Sequence, residues 1–411
     1  MQTKKLKWIS WLTAVVMTFL VGGIPTIQLL RKSSADGANG AGGAEVSDGA
    51  NERYQPTIVS SIEDGATVAL LEGGIYNCTS NYVIGCSEFD YTRGNCFDPK
   101  PLSLSWTCEE GALYYTVKLS VNADMSEAQN YLCFTPDIEI EDLFAGTHYY
   151  YQIIAKYEDK TVKSRIFDLY TANLPRTVRI EGVSNTRDIG GYYTVDGKHR
   201  VRQGLVYRGG AIEKAVHGGV VVSQITQAGK DKMLHVYKIK TDLDVRGSLS
   251  VSPLGDSVNM VSVSGPYYVG NDGITSIKDS SKPGTWSGNY RDALLKEIQT
   301  FANPNNYPIY FHCQIGRDRT GTLAFLINAL LGVGEKDLYM DYELSFFSEA
   351  GCRDGQTPPA MITQIRSLIE YIKGYAGGTL QENTEKFMLD LGVTQAEIDN
   401  IRAIMLEEVN A

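Results

Sequence analysis

Histidine is scarce in this 411-residue chain: five occur, at positions 148, 199, 217, 235 and 312, with no His-x-x-x-His pair among them. Seven cysteines occur, and none forms a Cys-x-x-Cys pair. A zinc site is therefore without its usual donors, and no metal or other cofactor is expected. Basic charge is also in deficit, since 38 Lys and Arg stand against 48 Asp and Glu, for a net charge of −10. Broad nucleic-acid binding needs a basic footprint that this chain does not have. It does have apolar content: 43% hydrophobic residues over this length supply two cores.

Only one long uncharged run exists. Lys4, Lys5 and Lys7 precede Trp8 to Leu30, and Arg31 and Lys32 follow it. Its length, about 23 residues, is enough to span a bilayer with some tilt, although Pro25 and Gly22-Gly23 weaken its outer end as a helix. Residues 1–32 are accordingly expected to be a signal-anchor, with a cleaved signal peptide as the alternative. Basic residues on the short N-terminal side place that side in the cytoplasm. The expected location is the cell membrane, single-pass with an extracytoplasmic catalytic part, or secretion if the segment is removed. Residues 33–55, rich in Gly, Ala, Ser and Asp, read as a flexible linker.

Residues 56–173 read as all-β. Leu102, Leu104 and Trp106 alternate with serines, Tyr115, Val117, Leu119 and Val121 alternate with polar neighbours, and Tyr149, Tyr151 and Ile153 repeat the pattern. The stretch Leu143-Phe144-Ala145-Gly146-Thr147-His148-Tyr149-Tyr150-Tyr151 resembles the turn and following strand of fibronectin type III modules, which implies a sandwich. The partner of such a domain is unknown from sequence, because the fold hosts unrelated roles. Cys78, Cys86, Cys96, Cys108 and Cys133 fall in this region, and one or two disulfides are expected among them if it lies outside the membrane.

Chemistry concentrates further on, in His312-Cys313-Gln314-Ile315-Gly316-Arg317-Asp318-Arg319-Thr320-Gly321. A cysteine followed after five residues by an arginine lets one loop wrap a phosphate with backbone N–H groups while the guanidinium closes on it. Tyr307 to Phe311 reads as a buried strand, and Thr322 to Leu331 as an apolar helix ending at Gly332. The cysteine then sits at a helix N-terminus, where unpaired N–H groups and the dipole favour both an anion and a thiolate. Cys313 is the expected nucleophile, Arg319 the fork on two phosphoryl oxygens, and Gln314, Ile315, Gly316, Arg317 and Thr320 the rest of the substrate cradle. Thr320 is placed to donate toward the sulfur, and His312 to brace the loop through backbone contacts.

That loop resembles the cysteine-dependent tyrosine phosphatase superfamily. More narrowly, the chain resembles bacterial tyrosine-protein phosphatases that also accept phosphoserine, phosphothreonine or phosphoinositides. Asn185-Thr186-Arg187-Asp188-Ile189-Gly190-Gly191-Tyr192 is similar to that family's opening signature, and Val206-Tyr207-Arg208-Gly209-Gly210 follows where the family has a Tyr-Arg segment. Lys240-Thr241-Asp242-Leu243-Asp244-Val245-Arg246 and Asp341-Tyr342-Glu343-Leu344-Ser345 resemble two more of its segments, in family order. The resemblance implies an α/β phosphatase domain over 174–411, with a central sheet flanked by helices. It also implies phosphomonoester hydrolysis through a phosphocysteine, on a phosphorylated protein or a phosphoinositide. One departure is Arg317 where the family usually has Lys, which bears on ligand preference at the loop rim.

Proton donation to the leaving group is less constrained. Asp318 is favoured by the resemblance, while Asp244, Asp272 and Asp279 are the other carboxyls in play. Asp244 also reads as a partner fixing Arg319 or the loop backbone, and Asp272 and Asp279 as solvated loop residues or parts of a mobile cover. Arg187 and Arg208 either make the cleft positive or are tied up in structural salt bridges. Two other functions remain open: a cysteine-loop sulfurtransferase or arsenate reductase, and a non-catalytic surface protein that holds phosphate.

Overall fold

The structure is a computed structural model that describes residues 58–84, 98–267, 288–348 and 358–409. Two compact units divide the chain: one takes residues up to 66, 103–139 and 149–169, and the other takes 67–102, 140–148 and everything from 170 on.

The first unit is all-β. β1 (Val59–Ser60) pairs antiparallel with β2 (Leu102–Thr107). β3 (Tyr114–Ser120) lies antiparallel between β4 (Gln129–Cys133) and β5 (His148–Lys156), and β6 (Thr161–Lys163) pairs with β5. The two-residue period decides which side chains enter the core: β2 alternates buried and exposed without exception, and in β5 every second residue is buried. Trp106 meets Tyr115 edge-on with ring centroids 5.2 Å apart, joining the two sheets at the core. The alternation ends at Ser120, so Val121, expected inside, is about half exposed at 51%. Cys108 and Cys133 are free thiols, and Cys108 Sγ lies 3.3 Å from the Tyr115 hydroxyl.

The second unit is α/β. Its sheet runs in the spatial order β7 (Arg187–Asp188), β8 (Val206–Gly209), β12 (Ile309–His312), β10 (Thr241–Asp244), β11 (Asn259–Ser262), and β9 (Val220–Ser223) lies outside it in a two-stranded hairpin. β8, β12, β10 and β11 are parallel, and β7 is an antiparallel edge. Central strands of a sheet covered on both faces cannot alternate, and β8, β10 and β12 are buried at every position. The covering helices include α1 (Gly73–Ser80), α2 (Gly288–Ala302), α3 (Asp318–Leu330), α4 (Glu335–Glu343), α5 (Pro358–Lys373), α6 (Leu380–Leu391) and α7 (Gln395–Met405). α3 is buried from Thr320 to Leu330, which makes it the central helix of the unit. Thr394 and Glu397 close a reciprocal capping box at the start of α7.

α1 belongs with this second unit, although it falls inside the stretch read from sequence as β domain. Leu71, Ile75, Cys78 and Tyr82 are buried in the same core as Leu323, Phe346 and Phe347. Cys78 is thus a core residue here and does not sit in the sandwich. Cys86, Cys96 and Cys352 lie outside the described residues, as do the linker and the apolar run 8–30. Among the described residues no helix is long and apolar enough to cross a membrane. The expected single-pass membrane location is corrected on that finding.

Candidate active site

β12 ends at His312, and α3 starts at Asp318 with Arg317 as its N-cap residue. The five residues from Cys313 to Arg317 therefore form a turn between the carboxyl end of a central parallel strand and a helix N-terminus, where α/β sheets place their ligands. Cys313 is buried, as are Ile315, Gly316 and Arg317, while Gln314 is exposed.

Four consecutive carbonyls of this turn are held from outside. His312 Nδ1 lies 3.3 Å from the Cys313 carbonyl, and the Ala211 N–H donates to Gln314 O at 3.1 Å. Asn185 Nδ2 donates to Ile315 O at 2.9 Å, and Arg208 Nη2 to Gly316 O at 2.8 Å. A peptide plane carries its N–H opposite its C=O, so fixing these carbonyls outward turns the N–H groups of residues 314 to 317 the other way, into the loop. The unpaired N–H groups of the first turn of α3 add to them. The result is an anion cradle built from backbone.

Sterics make the turn possible. Gly316 sits at φ 74°, and a Cβ there would come within 2.5 Å of Gly209 backbone atoms. A Cβ on Gly209 would in turn lie 2.4 Å from the Tyr310 hydroxyl, which donates to Gly210 O at 2.7 Å. The Gly209-Gly210 pair and the glycine three residues after the cysteine are thus one close approach of two backbones.

Behind the cradle stands a buried ion cluster. Asp341, from α4, accepts from Arg187 Nε at 2.8 Å through one oxygen and from Arg208 Nη1 through the other. Both arginines are fully buried, and Arg187 also donates to the Asn185 side-chain oxygen at 2.6 Å, fixing the amide that holds Ile315. Burial works to raise the Asp341 pKa, yet the two guanidiniums hold its carboxyl below the usual carboxylate range. Burial, reinforced by Arg187, pulls Arg208 down to about 10, and the charges of Asp341 and then Cys313 oppose that fall. Arg208 is thus a cation acting on the cysteine from behind the loop.

His312 is fixed in the same way. Its Nε2 lies 2.9 Å from Asp242 Oδ1, and the other oxygen of Asp242 accepts from the Ser252 hydroxyl at 2.7 Å. Burial disfavours the imidazolium, but the Asp242 carboxylate outweighs it and the His312 pKa is raised. A protonated ring donates from both nitrogens, which suits Nδ1 to the Cys313 carbonyl.

At the front, Arg319 donates from Nε to Gly265 O at 3.2 Å and lies over the Tyr267 ring, 4.9 Å from its centroid. Asp318 is partly exposed on the first turn of α3 and accepts from Arg317 Nε at 3.0 Å. Thr320 is fully buried, with a hydroxyl that has no hydrogen-bond partner among the described residues.

Two sequence expectations are corrected. Arg317 does not stand at the loop rim: its side chain is only 3% exposed. Asp244 holds neither Arg319 nor the loop backbone; it caps the following turn, accepting from the Arg246 N–H and Nε, the Ser248 N–H and hydroxyl, and the Leu249 N–H. Burial raises its pKa, but Arg246, joined by the charge of His312, keeps it below the usual carboxylate range, so it is an acceptor and not a proton donor. The choice left open for Arg187 and Arg208 falls to the ion-paired one. Asp272 and Asp279 lie outside the described residues. Among the described residues no group of three acidic, His or Cys side chains is placed to hold a metal.

Sequence reasoning did not find Ala211, Asp242 or Asp341 as the partners of the loop and its histidine. Asp242 and Asp341 stood inside the segments Lys240 to Arg246 and Asp341 to Ser345 that carry the resemblance, whereas Ala211 acts through its backbone N–H and leaves no side-chain signal.

Comparison with known proteins bears on this site. The profile described as "Tyrosine phosphatase family" matches residues 178–407, more than half of the chain. An inferred tyrosine-protein phosphatase of Cupriavidus necator is 28% identical over 174 residues, covering 39% of this chain and 59% of that protein. A tyrosine-protein phosphatase of Nostoc commune is 26% identical over 147 residues, covering 31% and 50%. The chain thus spans little more than half the length of the curated relatives it matches. Among solved structures, the core catalytic domain of the PP-IP phosphatase Siw14 from S. cerevisiae is similar at 17% identity and a TM-score of 0.26, over 44% of this chain and 87% of that one.

Proposed function

The chain belongs to the tyrosine phosphatase family, and on that premise we propose that it hydrolyses phosphate monoesters through a phosphocysteine on Cys313. The substrate is a phosphotyrosine protein, with phosphoserine, phosphothreonine or a phosphoinositide accepted as well. The observation that carries the reading is the set of four loop carbonyls held outward around a cysteine at a helix N-terminus. In the first step the Cys313 sulfur attacks phosphorus and the ester oxygen leaves, taking a proton from Asp318. In the second, water gives a proton to the Asp318 carboxylate as its oxygen attacks phosphorus and the S–P bond breaks, giving inorganic phosphate, the thiolate and the protonated acid. Backbone N–H groups and Arg319 hold the equatorial oxygens through both steps, where charge stabilisation has most effect. Thr320 donates toward the sulfur as it leaves.

For the rest of the chain we propose a catalytic domain at 174–411, whose core also takes in α1, and a fibronectin type III-like domain formed by the alternating strands within 56–173 and acting as a spacer. The test of the activity is turnover of p-nitrophenyl phosphate by the purified chain, with and without vanadate. Vanadate-sensitive hydrolysis that disappears in Cys313→Ser supports the reading, and full activity in that variant refutes it.

A further inference from the structure

β8 and β12 end side by side, with Gly209 paired to His312, so the chain leaving β8 emerges at the same carboxyl edge of the sheet as the phosphate loop. There it forms the hairpin. The strand Ala215–His217 pairs antiparallel with β9, Val216 opposite Val221 and His217 opposite Val220, around a turn at Gly218-Gly219 where both φ are positive. The base is fixed: Ile212 and Ser223 are buried, the Ile225 N–H donates to Ile212 O at 3.0 Å, and Glu213 pairs with Arg246 Nη1 at 2.8 Å. The upper part is open and apolar. Val216, Val220 and Val221 are 48%, 42% and 47% exposed, and among the described residues no third strand joins this two-stranded sheet.

An open two-stranded hairpin of valines has little support of its own in water. Its tie is to the phosphate loop. Gln314, the exposed residue next to Cys313, donates from Nε2 to the Val216 carbonyl, while the Ala211 N–H of the same segment holds the Gln314 carbonyl at 3.1 Å. The apolar pair Val216 and Val221 is thus anchored one residue from the nucleophile. A phosphate seated in the loop brings the residue that carries it, and whatever is attached to that residue, past this rim. Charge then decides between the candidates. Glu213 and Lys214 are the only fixed charges from Gly209 to Ser223, and they cancel. A phosphoinositide headgroup is a polyanion held by clustered cations, which this hairpin does not offer. An extended polypeptide with apolar side chains matches it.

We propose that the hairpin is the docking surface for a phosphoprotein substrate, with the apolar residues that flank the phosphorylated residue lying on Val216 and Val221. This rests on the phosphatase reading above and narrows it, from any phosphate monoester to a polypeptide in preference to a lipid headgroup.

Steady-state kinetics of the full chain test it on four substrates: p-nitrophenyl phosphate, a phosphotyrosine peptide flanked by Ile and Val, the same peptide flanked by Asp and Glu, and a soluble short-chain phosphatidylinositol phosphate. The wild type is expected to favour the apolar peptide in kcat/KM over the acidic peptide and the phosphoinositide, each on the order of 10-fold. Val216→Thr with Val221→Thr keeps the β-branched shape and exchanges a methyl for a hydroxyl on each side chain. In that variant the ratio of kcat/KM for the apolar peptide to that for p-nitrophenyl phosphate, which has no flanking residues, is expected to fall on the order of 10-fold. Val221→Lys is expected to turn the preference toward the acidic peptide. A wild type that handles the acidic peptide or the phosphoinositide as well as the apolar peptide, an unchanged ratio in the double Thr variant, or the wild-type order of peptides in Val221→Lys overturns the proposal. With p-nitrophenyl phosphate still turned over, the phosphatase reading survives each of those results. If the wild type shows no vanadate-sensitive turnover of p-nitrophenyl phosphate, the phosphatase reading fails, and the assignment of the hairpin falls with it.

Discussion

The back and the front of the phosphate loop are built on opposite terms. At the back, Arg187, Arg208 and Asp341 are buried together, and their hydrogen bonds tie down Asn185 and the Gly316 carbonyl. At the front, Arg319 donates to the Gly265 carbonyl and has a ring beneath it, and among the described residues Glu297 Oε1 has no hydrogen-bond partner. The two buried arginines are locked by a carboxylate, and Arg319, which on the proposed reading meets the phosphate, is held by a backbone carbonyl. Stability is therefore concentrated behind the cradle, and reactivity in front of it.

The largest effect that would break this contrast is at Asp341. Asp341→Ala leaves two buried guanidiniums without their carboxylate, which costs about 3–5 kcal/mol in comparable buried pairs. Thermal unfolding should show a large drop in Tm, with activity lost alongside it; a near-wild-type Tm would mean that the cluster is not the anchor described.

Arg319→Lys is the counterpart at the front. Lys cannot span two phosphoryl oxygens, so turnover should lose on the order of 3 kcal/mol of transition-state stabilisation while Tm stays close to wild type. Steady-state kinetics and calorimetry on one preparation check both halves, and a Tm loss matching that of Asp341→Ala would erase the distinction.

Asp318 sharpens the front further. Activated aryl esters need little protonation of the leaving group and alkyl esters need much, so Asp318→Asn should slow phosphoserine-type substrates far more than p-nitrophenyl phosphate. Equal losses would give Asp318 a structural role.

The smallest effect is the pH dependence of stability. Asp341, held low by its arginines, contributes stability that is present above the ordinary carboxylate range and is lost as pH falls through its folded value. His312, raised by Asp242, contributes stability that is full below the ordinary imidazole range and is lost as pH rises through its folded value. Urea titrations from pH 5 to 9 should show that alkaline loss in the wild type and not in Asp242→Asn.

The cradle itself was legible from sequence, because a strand, a Cys-x5-Arg turn and an apolar helix are local features. The strand before it, Tyr307 to Phe311, was also legible, since a buried strand stands out as a short apolar run. What holds the cradle was not. Asp341 lies 154 residues from Arg187 and 133 from Arg208, and Asp242 lies 70 from His312; no periodicity encodes such pairings. Asp244 was misread for a related reason: next to Arg246 and Ser248, its carboxyl is consumed by its own turn. Arg317 was placed at the rim from the resemblance, as the counterpart of the family's usual Lys, whereas the turn into α3 carries it inside. α1 was assigned to the β region from its neighbours in sequence, while Ile75 and Tyr82 pack with residues near 346.

The central claim is that the cradle exists to present Cys313 to phosphorus. Rapid acid quench of the purified chain turning over p-nitrophenyl phosphate, followed by mass spectrometry of the peptide containing residue 313, tests it directly. A phosphate adduct on Cys313 that forms within the first turnover and decays as product accumulates is the predicted result. Turnover at a normal rate with the Cys313 peptide never modified would contradict it.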